Sequence, residues 1–159
     1  MMKYTYWLHN IPGLGNTKIR SLYHDVACAE ELYHMPLSQL KKIFGITEEE
    51  VKLIHYSQRK WDVDKEWFRL MEQGIGFVSM EQPEFPEKVR HIHNPPYALY
   101  YVGKLPEENR KSVAIVGART RSAYGSQIAT ELGMVLAQHG IQVISGLARG
   151  IDRDAHQGA

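Results

Sequence analysis

Two short loops near the end of the 159-residue chain combine glycine, other small residues and arginine. The first glycine loop comprises residues 117–125 and the second comprises residues 145–152, and each follows a short apolar run. Glycine lets backbone N–H groups come close to an anion, and arginine offers phosphate a bidentate pair of donors. The residue types therefore predict a site for an anionic ligand.

Within these loops, Arg119 is the main candidate for a phosphate anchor, and Ser145 can donate a hydroxyl hydrogen to a ligand. The glycine spacing is not the G-x-G-x-x-G of dinucleotide sites, and no Gly-Lys-Ser/Thr of a P-loop follows. A phosphate site is favoured for the first glycine loop. A plain strand-to-helix turn with solvated arginines is the alternative.

Asp152 and His156 are four residues apart and are expected to share one face of a helix. Asp152 is predicted to stabilise the positive end of that helix. A structural hydrogen bond between the two side chains is favoured over a proton-transfer pair. The single cysteine, Cys28, excludes a disulfide framework, and the eight histidines lack metal-ligand spacing. We expect no catalytic residue, no metal and no cofactor.

The apolar runs before the loops are predicted strands of a parallel sheet, whose carboxyl ends are where open α/β proteins bind ligands. The fully apolar run 113–116 indicates a strand with helices on both of its faces. The predicted strands are 75–79, 98–102, 113–116 and 142–145, and the predicted helices of this part are 124–140 and one from residue 151. Because four strands and an unfinished helix fall short of a doubly wound sheet, we expect a fragment truncated at its carboxyl end.

Residues 1–73 are predicted to form a small all-helical domain, and residues 74–159 the incomplete sheet domain. The glycine hairpin near residues 11–15 is typical of a helix-hairpin-helix. It is interpreted as a helix–helix corner, with phosphate binding as the alternative, and Asn16 or Thr17 is expected to cap the next helix. Thr47 and Glu50 form a predicted capping box that opens one helix, ending near Gly74. The three tryptophans fit a helical core better than a base-stacking platform.

Composition indicates a globular chain, with 43% hydrophobic and 23% charged residues. A net charge of only +1 does not by itself indicate a nucleic-acid-binding protein. No apolar run approaches the roughly 20 residues that cross a bilayer, and the first residues lack the pattern of a signal peptide. We therefore expect a cytoplasmic protein with no membrane partner.

The motifs together resemble the DNA-processing protein A family, also called DprA or Smf. The string Ser-Gly-Leu-Ala-Arg-Gly-Ile-Asp at 145–152 is the most specific part of the resemblance. The other matching residues are 113–119, Tyr124, Gly125, Ala155, His156, Gly158 and Ala159, with Phe85, Pro86, Pro95, Pro96, Leu99, Tyr100 and Gly103 before them. The resemblance implies a Rossmann-like α/β fold, here a partial parallel sheet with helices on both faces, preceded by the helical (SAM-like) amino-terminal domain of many members.

The family resemblance also implies a function. Such a protein binds single-stranded DNA without catalysis, protects incoming DNA and delivers it to the RecA recombinase in natural transformation. The family's phosphate-contacting Gly-Ser-Arg falls on Gly117, Ala118 and Arg119, so alanine replaces the serine here. The candidate phosphate-binding residues are Gly117, Ala118, Arg119, Ser122, Tyr124, Gly125, Ser145, Gly146, Ala148, Arg149 and Gly150.

Two further readings of the sequence stay open. In one, the loops hold a mononucleotide for an enzyme that uses Asp152 and His156 for proton transfer. In the other, the chain is a scaffold piece that does not bind DNA. Self-association is expected of the full-length protein, but the resemblance places the family's self-association and RecA-facing surfaces largely beyond residue 159.

Overall fold

The computed structural model describes residues 1–159 and divides into two compact units, Met1–Leu105 and Pro106–Ala159. The helices of the first unit are α1 (Met2–His9), α2 (Asn16–Leu22), α3 (Ala29–His34), α4 (Leu37–Leu40), α5 (Glu48–Lys60), α6 (Val63–Glu72) and α7 (Glu87–Arg90). Its strands are β1 (Ile75–Ser79) and β2 (Ala98–Val102). The second unit contains β3 (Ser112–Ala114), α8 (Ala123–Gln138), β4 (Gln142–Ile144) and α9 (Ile151–Gly158).

The first unit is organised around the buried face of α1. Trp7 and Leu8 are completely buried, and the Trp7 indole Nε1–H donates a hydrogen bond of 2.8 Å to the Ser57 hydroxyl of α5. Trp61 and Trp67 pack against the same core. The prediction that the tryptophans belong to a helical core is therefore confirmed.

The helix ends of the first unit follow the sequence signals in part. The Thr47–Glu50 capping box is formed with both of its reciprocal hydrogen bonds. Gly15, with no side-chain cap, is the N-cap of α2, so the expected capping by Asn16 or Thr17 is wrong. The backbone supplies this turn: the N–H of Ile19 already bonds to the Gly15 carbonyl at 3.0 Å.

The predicted single helix from Thr47 to Gly74 is in fact two helices. The first helix, α5, ends with Trp61 as its C-cap. The Asp62 side chain then caps α6 by accepting a hydrogen bond of 3.0 Å from the Lys65 N–H. The Asp62 carboxylate competes with the backbone carbonyls that would continue the helix, which explains why the helix is interrupted here. Gly74 ends α6 as predicted, with φ of +66°.

The strands β1 and β2 pair antiparallel with each other, from Ile75 opposite Val102 to Ser79 opposite Ala98. A single parallel sheet of four strands is therefore wrong. The physical reason is that Phe77 and Ala98 bury their side chains in the helical core of the first unit. The compact units consequently divide after Leu105, whereas the domain division after residue 73 stays a prediction.

The second unit is a βαβ arrangement followed by one more helix. Strands β3 and β4 pair in parallel, with Val113 opposite Val143, and α8 connects them. A parallel pair needs such a crossover connection, so the α/β class is confirmed here. Val113 remains 41% and Ile144 49% exposed, so the full cover expected from the apolar strand does not form. α9 packs chiefly along α8 instead.

Helices α8 and α9 approach each other closely through two glycines. A Cβ on Gly133 would collide with the carbonyl oxygen of Ala155, and a Cβ on Gly158 would collide with the carbonyl oxygen of Thr130. The contact thus has one glycine in each helix, facing the backbone of the other. In the whole chain, no helix combines the length and the apolar character that crossing a membrane requires.

Candidate functional site

The two glycine loops lie against each other and are joined by the carboxylate of Asp152. The Gly117 N–H donates to Asp152 Oδ1 and the Gly146 N–H donates to Asp152 Oδ2, both at 3.2 Å. The side chain of Asp152 belongs to the first turn of α9 and the residue is only 7% exposed. The proximity of the loops that the sequence predicted is therefore a feature of the structure.

This arrangement changes which groups face a ligand. The N–H groups of Gly117 and Gly146, expected to donate to an external anion, donate to an internal one. The Ser145 hydroxyl likewise donates at 2.6 Å to the carbonyl oxygen of Ile115. These three residues therefore shape the loops through internal hydrogen bonds.

Gly150 provides the closest contact between the loops. Its φ is +92°, and a Cβ there would collide with the carbonyl oxygen of Ala118 and lie 2.6 Å from that of Arg119. The next residue, Ile151, donates its N–H to the same Ala118 oxygen at 3.3 Å. Glycine is required here by both backbone conformation and space. Gly150 itself is buried, so its part in any site is to hold the two backbones together.

The start of α8 uses two more of the candidate residues. Ser122 is the N-cap, and its hydroxyl oxygen accepts a hydrogen bond of 3.0 Å from the Gly125 N–H. That contact engages the Gly125 donor but leaves the hydroxyl hydrogen of Ser122 available, since a hydroxyl can donate while it accepts. Tyr124 is 74% exposed at the first turn.

Two arginines of the loops have free guanidinium groups. Arg119 in the first glycine loop and Arg149 in the second are both exposed, and neither makes a hydrogen bond or ion pair within the protein. The N–H groups of Ala118 and Arg119 also lack a protein acceptor. Ala148 is half-buried, with its carbonyl accepting the Arg153 N–H at 3.1 Å. Unpaired cations and free backbone donors together favour an anionic ligand.

Asp152 and His156 do not form the expected hydrogen bond. Both oxygens of Asp152 accept backbone N–H groups from the glycine loops, as described above. The prediction of a structural Asp152–His156 hydrogen bond is wrong, because the Asp152 carboxylate accepts the two loop amides instead. Asp152 does lie in the first turn of α9, as predicted.

An ion pair that the sequence analysis missed fixes the first glycine loop to α9. The Arg121 guanidinium Nε–H donates to the Asp154 carboxylate, whose side chain is only 2% exposed. Hydrogen bonds from Arg121 and from the Ser126 hydroxyl lower the pKa of Asp154 below its ordinary value of 3.8. The two acids of the first α9 turn, spaced two residues apart, were the only sequence signal of such a role.

The parallel βαβ unit, with glycine loops after both strands, places this part of the chain in the Rossmann-like α/β class. The model of the family described as DNA recombination-mediator protein A matches residues 76–159, and the chain belongs to that family. The match thus includes both glycine loops and every candidate phosphate-binding residue.

Curated relatives and a solved structure agree with the family assignment. The chain is 26% identical over 157 residues to Protein Smf of Synechocystis sp., covering 95% of this chain and 39% of the relative. It is 40% identical over 72 residues to Protein Smf of Borreliella burgdorferi, covering 45% of this chain and 23% of the relative. The X-ray structure of DNA processing protein A (DprA) from Streptococcus pneumoniae matches with a TM-score of 0.71 at 23% identity, covering 100% of this chain and 54% of that chain. At that identity the structural likeness is evidence for the fold.

The chain is shorter than these relatives. Its matches span 39% of the Synechocystis protein and 29% of DNA processing protein DprA of Bacillus subtilis, to which it is 33% identical over 86 residues. Activities and partners of a whole family member therefore belong to the proposal below.

Proposed function

We propose that the whole protein binds single-stranded DNA without catalysis, protects incoming DNA and delivers it to the RecA recombinase in natural transformation. One observation carries the DNA-binding part of this proposal. Arg119 and Arg149 are exposed, unpaired cations on two loops that a single carboxylate, that of Asp152, holds together. Such an arrangement presents two phosphate-binding groups on a pre-organised backbone.

The proposed phosphate site combines side-chain and backbone donors. Arg119 is the main anchor, with the free N–H groups of Ala118 and Arg119 beside it, and Arg149 contacts a neighbouring phosphate. Ser122 donates its hydroxyl hydrogen from the start of α8. The exposed ring of Tyr124 offers a surface on which a base can stack. The glycines and Ser145 give the loops their shape through the internal hydrogen bonds.

The family and its relatives support the biological part of the proposal. The matched family is named for recombination mediation, and several relatives carry the name DNA processing protein DprA. Delivery to RecA and self-association are proposed for the whole protein. Both oxygens of Asp152 accept backbone N–H groups of the glycine loops, so the proposal gives this carboxylate a structural role.

The proposed site is tested by titrating a fluorescent oligothymidylate with the whole protein and its variants, and by measuring the affinity at several salt concentrations. We expect Arg119→Ala to weaken binding for all sequences alike and to make the negative slope of log affinity against log salt less steep by about 0.7, the value for one lost phosphate contact on a single strand. Arg149→Ala is expected to act in the same direction. Lys88→Ala, which removes an exposed cation from α7 in the other unit, is the matched control.

Unchanged affinity and slope in both arginine variants would reject these residues as phosphate contacts. An equal loss in Lys88→Ala would show that net charge alone drives binding. Delivery to RecA is tested separately, by measuring RecA filament growth on DNA covered by a single-strand-binding protein with and without the whole protein.

A further inference from the structure

We infer that the first unit carries a second surface for single-stranded DNA, on the exposed side of α5. This α5 face consists of Lys52, His55, Tyr56, Arg59 and Lys60. It goes beyond the proposed function because it involves none of the glycine-loop residues.

Helical periodicity brings the five residues of the α5 face together. Positions 52, 55, 56, 59 and 60 are separated by steps of three and four, which place side chains on one side of a helix. The opposite side of α5 faces the core, where Val51 is 4% and Ile54 0% exposed. From Lys52 to Lys60 the face spans about 12 Å along the helix axis.

Two neighbouring hollows lie along this side of α5. One, of about 530 Å³, is lined by the α5 face itself. The other, of about 350 Å³, shares Lys52 and His55 with the first, and its remaining lining residues are Leu37, Lys41, Ile46, Thr47, Glu48 and Val51. The surface is thus an elongated depression along α5, with cations along its whole length and the apolar side chains of Leu37, Ile46 and Val51 in the hollow nearer α4.

The charges of the depression have one predominant sign. Four cations, Lys41, Lys52, Arg59 and Lys60, line the two hollows, against one acid, Glu48. The difference is a local charge of +3 with His55 neutral, compared with +1 for the whole chain of 159 residues. None of the four cations makes a hydrogen bond or ion pair through its side chain. Unpaired cations concentrated in a depression attract a polyanion.

Tyr56 gives the α5 face a stacking surface. Its ring is 66% exposed, with no ring contact and no hydrogen bond from its hydroxyl. By contrast, Tyr6 and Tyr33 of the same unit pack against other aromatic rings of the core. Lys52 and Lys60 lie one helical turn before and after Tyr56. An exposed ring between cations is the arrangement with which proteins stack a base and neutralise the phosphates beside it.

These features favour a single strand over a duplex, because only unpaired bases offer their faces to a tyrosine ring. They favour a nucleic acid over an acidic peptide because a peptide would use the cations but gain no stacking on Tyr56. We therefore expect the ring of Tyr56, and not its hydroxyl, to determine affinity. This expectation separates the α5 face from a merely basic surface.

The experiment uses the full 159-residue chain carrying Arg119→Ala and Arg149→Ala, so that the glycine loops do not dominate binding. Oligothymidylate is titrated by fluorescence anisotropy, and an oligonucleotide with 5-iododeoxyuridine is photo-crosslinked and the modified peptide identified by mass spectrometry. We expect residual binding and a crosslink on Tyr56. Tyr56→Ala should weaken this binding roughly tenfold, as loss of one stacked base does, whereas Tyr56→Phe should keep it. Lys52→Ala with Arg59→Ala should make the negative slope of log affinity against log salt less steep by about 1.4.

Lys65→Ala, an exposed cation on α6, is the matched control and should leave the affinity unchanged. Equal binding by Tyr56→Ala and Tyr56→Phe, or crosslinks only outside α5, would overturn the inference. Tighter binding of duplex DNA, of oligouridylate or of polyglutamate than of oligothymidylate would overturn it as well. Because the background lacks both unpaired loop arginines, Arg119 and Arg149, this outcome is independent of whether those residues bind DNA.

Discussion

The carboxylate of Asp152 accepts a hydrogen bond of 3.2 Å from the backbone N–H of Gly117, 35 residues earlier in the chain. Its other oxygen accepts the N–H of Gly146, so one side chain satisfies a donor in each glycine loop. This buried carboxylate supplies a single internal anion to backbone donors of both loops. The protein's own hydrogen bonds consequently hold the two loops in place.

Replacing Asp152 by Asn tests this role. The amide offers one oxygen and one NH₂ group, so one of the two glycine N–H groups loses its acceptor and faces a donor. An unsatisfied buried donor costs about 1–3 kcal/mol, and because these two hydrogen bonds are only partly buried we expect the second unit to lose stability at the lower end of that range. Hydrogen exchange followed by NMR should show faster exchange of the Gly117 or Gly146 amide. The amides of β3 and β4 should also exchange faster, to a smaller extent.

The first unit supplies an internal reference for that measurement. All three tryptophans, Trp7, Trp61 and Trp67, lie in it, so tryptophan fluorescence during urea unfolding reports on that unit alone. Glu131→Gln, at an exposed acid on α8, controls for the loss of a charge. Unaltered exchange at both glycines in Asp152→Asn would show that the carboxylate does not hold the loops.

The sequence was a good guide where the determinants are local. The Thr47–Glu50 capping box, the stop at Gly74 and the strand-loop-helix pattern around the glycine loops depend on neighbours within a few residues, and the structure contains each of them. The pairing of β1 with β2 depends instead on the helical core into which Phe77 packs. A strand pattern does not specify its partner strand.

The candidate site shows the same distinction. Small residues and arginines identified the loops, and their spacing after two strands predicted that they would meet. The hydrogen bond of Gly117 to Asp152 and the ion pair of Arg121 with Asp154 each join residues more than 30 positions apart. The periodicity of a single sequence contains no information about such pairs. The Gly117 N–H, which the sequence assigned to an external anion, therefore donates to Asp152 in the structure.

Gly133→Ala tests the close approach of α8 and α9. In an exposed helix this exchange stabilises by about 1 kcal/mol, because alanine is the better helix former. Here the new Cβ would collide with the Ala155 carbonyl, lying 3.1 Å from its carbon, so the two helices must separate. We expect a net loss of about 1–3 kcal/mol, as for overpacking elsewhere, measured by urea unfolding followed by far-ultraviolet circular dichroism.

Gly15→Ala is the matched control for that exchange. A Cβ added at Gly15 would have no neighbouring atom within 4 Å, and the backbone there is extended, with φ of −76°. Alanine therefore fits without a collision, and only the small preference of an N-cap for glycine is lost. A stabilised Gly133→Ala protein would mean that α8 and α9 are farther apart than the structure indicates.

The Arg121–Asp154 ion pair predicts how the stability of the second unit depends on pH. Arg121 and Ser126 hold the pKa of Asp154 below its ordinary value of 3.8, so the folded carboxyl binds a proton less readily than the unfolded one. The resulting stability is fully present above the unfolded pKa and is lost as pH falls through the lower folded pKa. Urea unfolding of Arg121→Ala should therefore show a deficit at pH 7 that narrows below about pH 4. Arg149→Ala removes an unpaired guanidinium from the same unit and should show no such narrowing. A deficit in Arg121→Ala that stays constant down to about pH 2 would mean that packing of the arginine, and not its charge, supports Asp154.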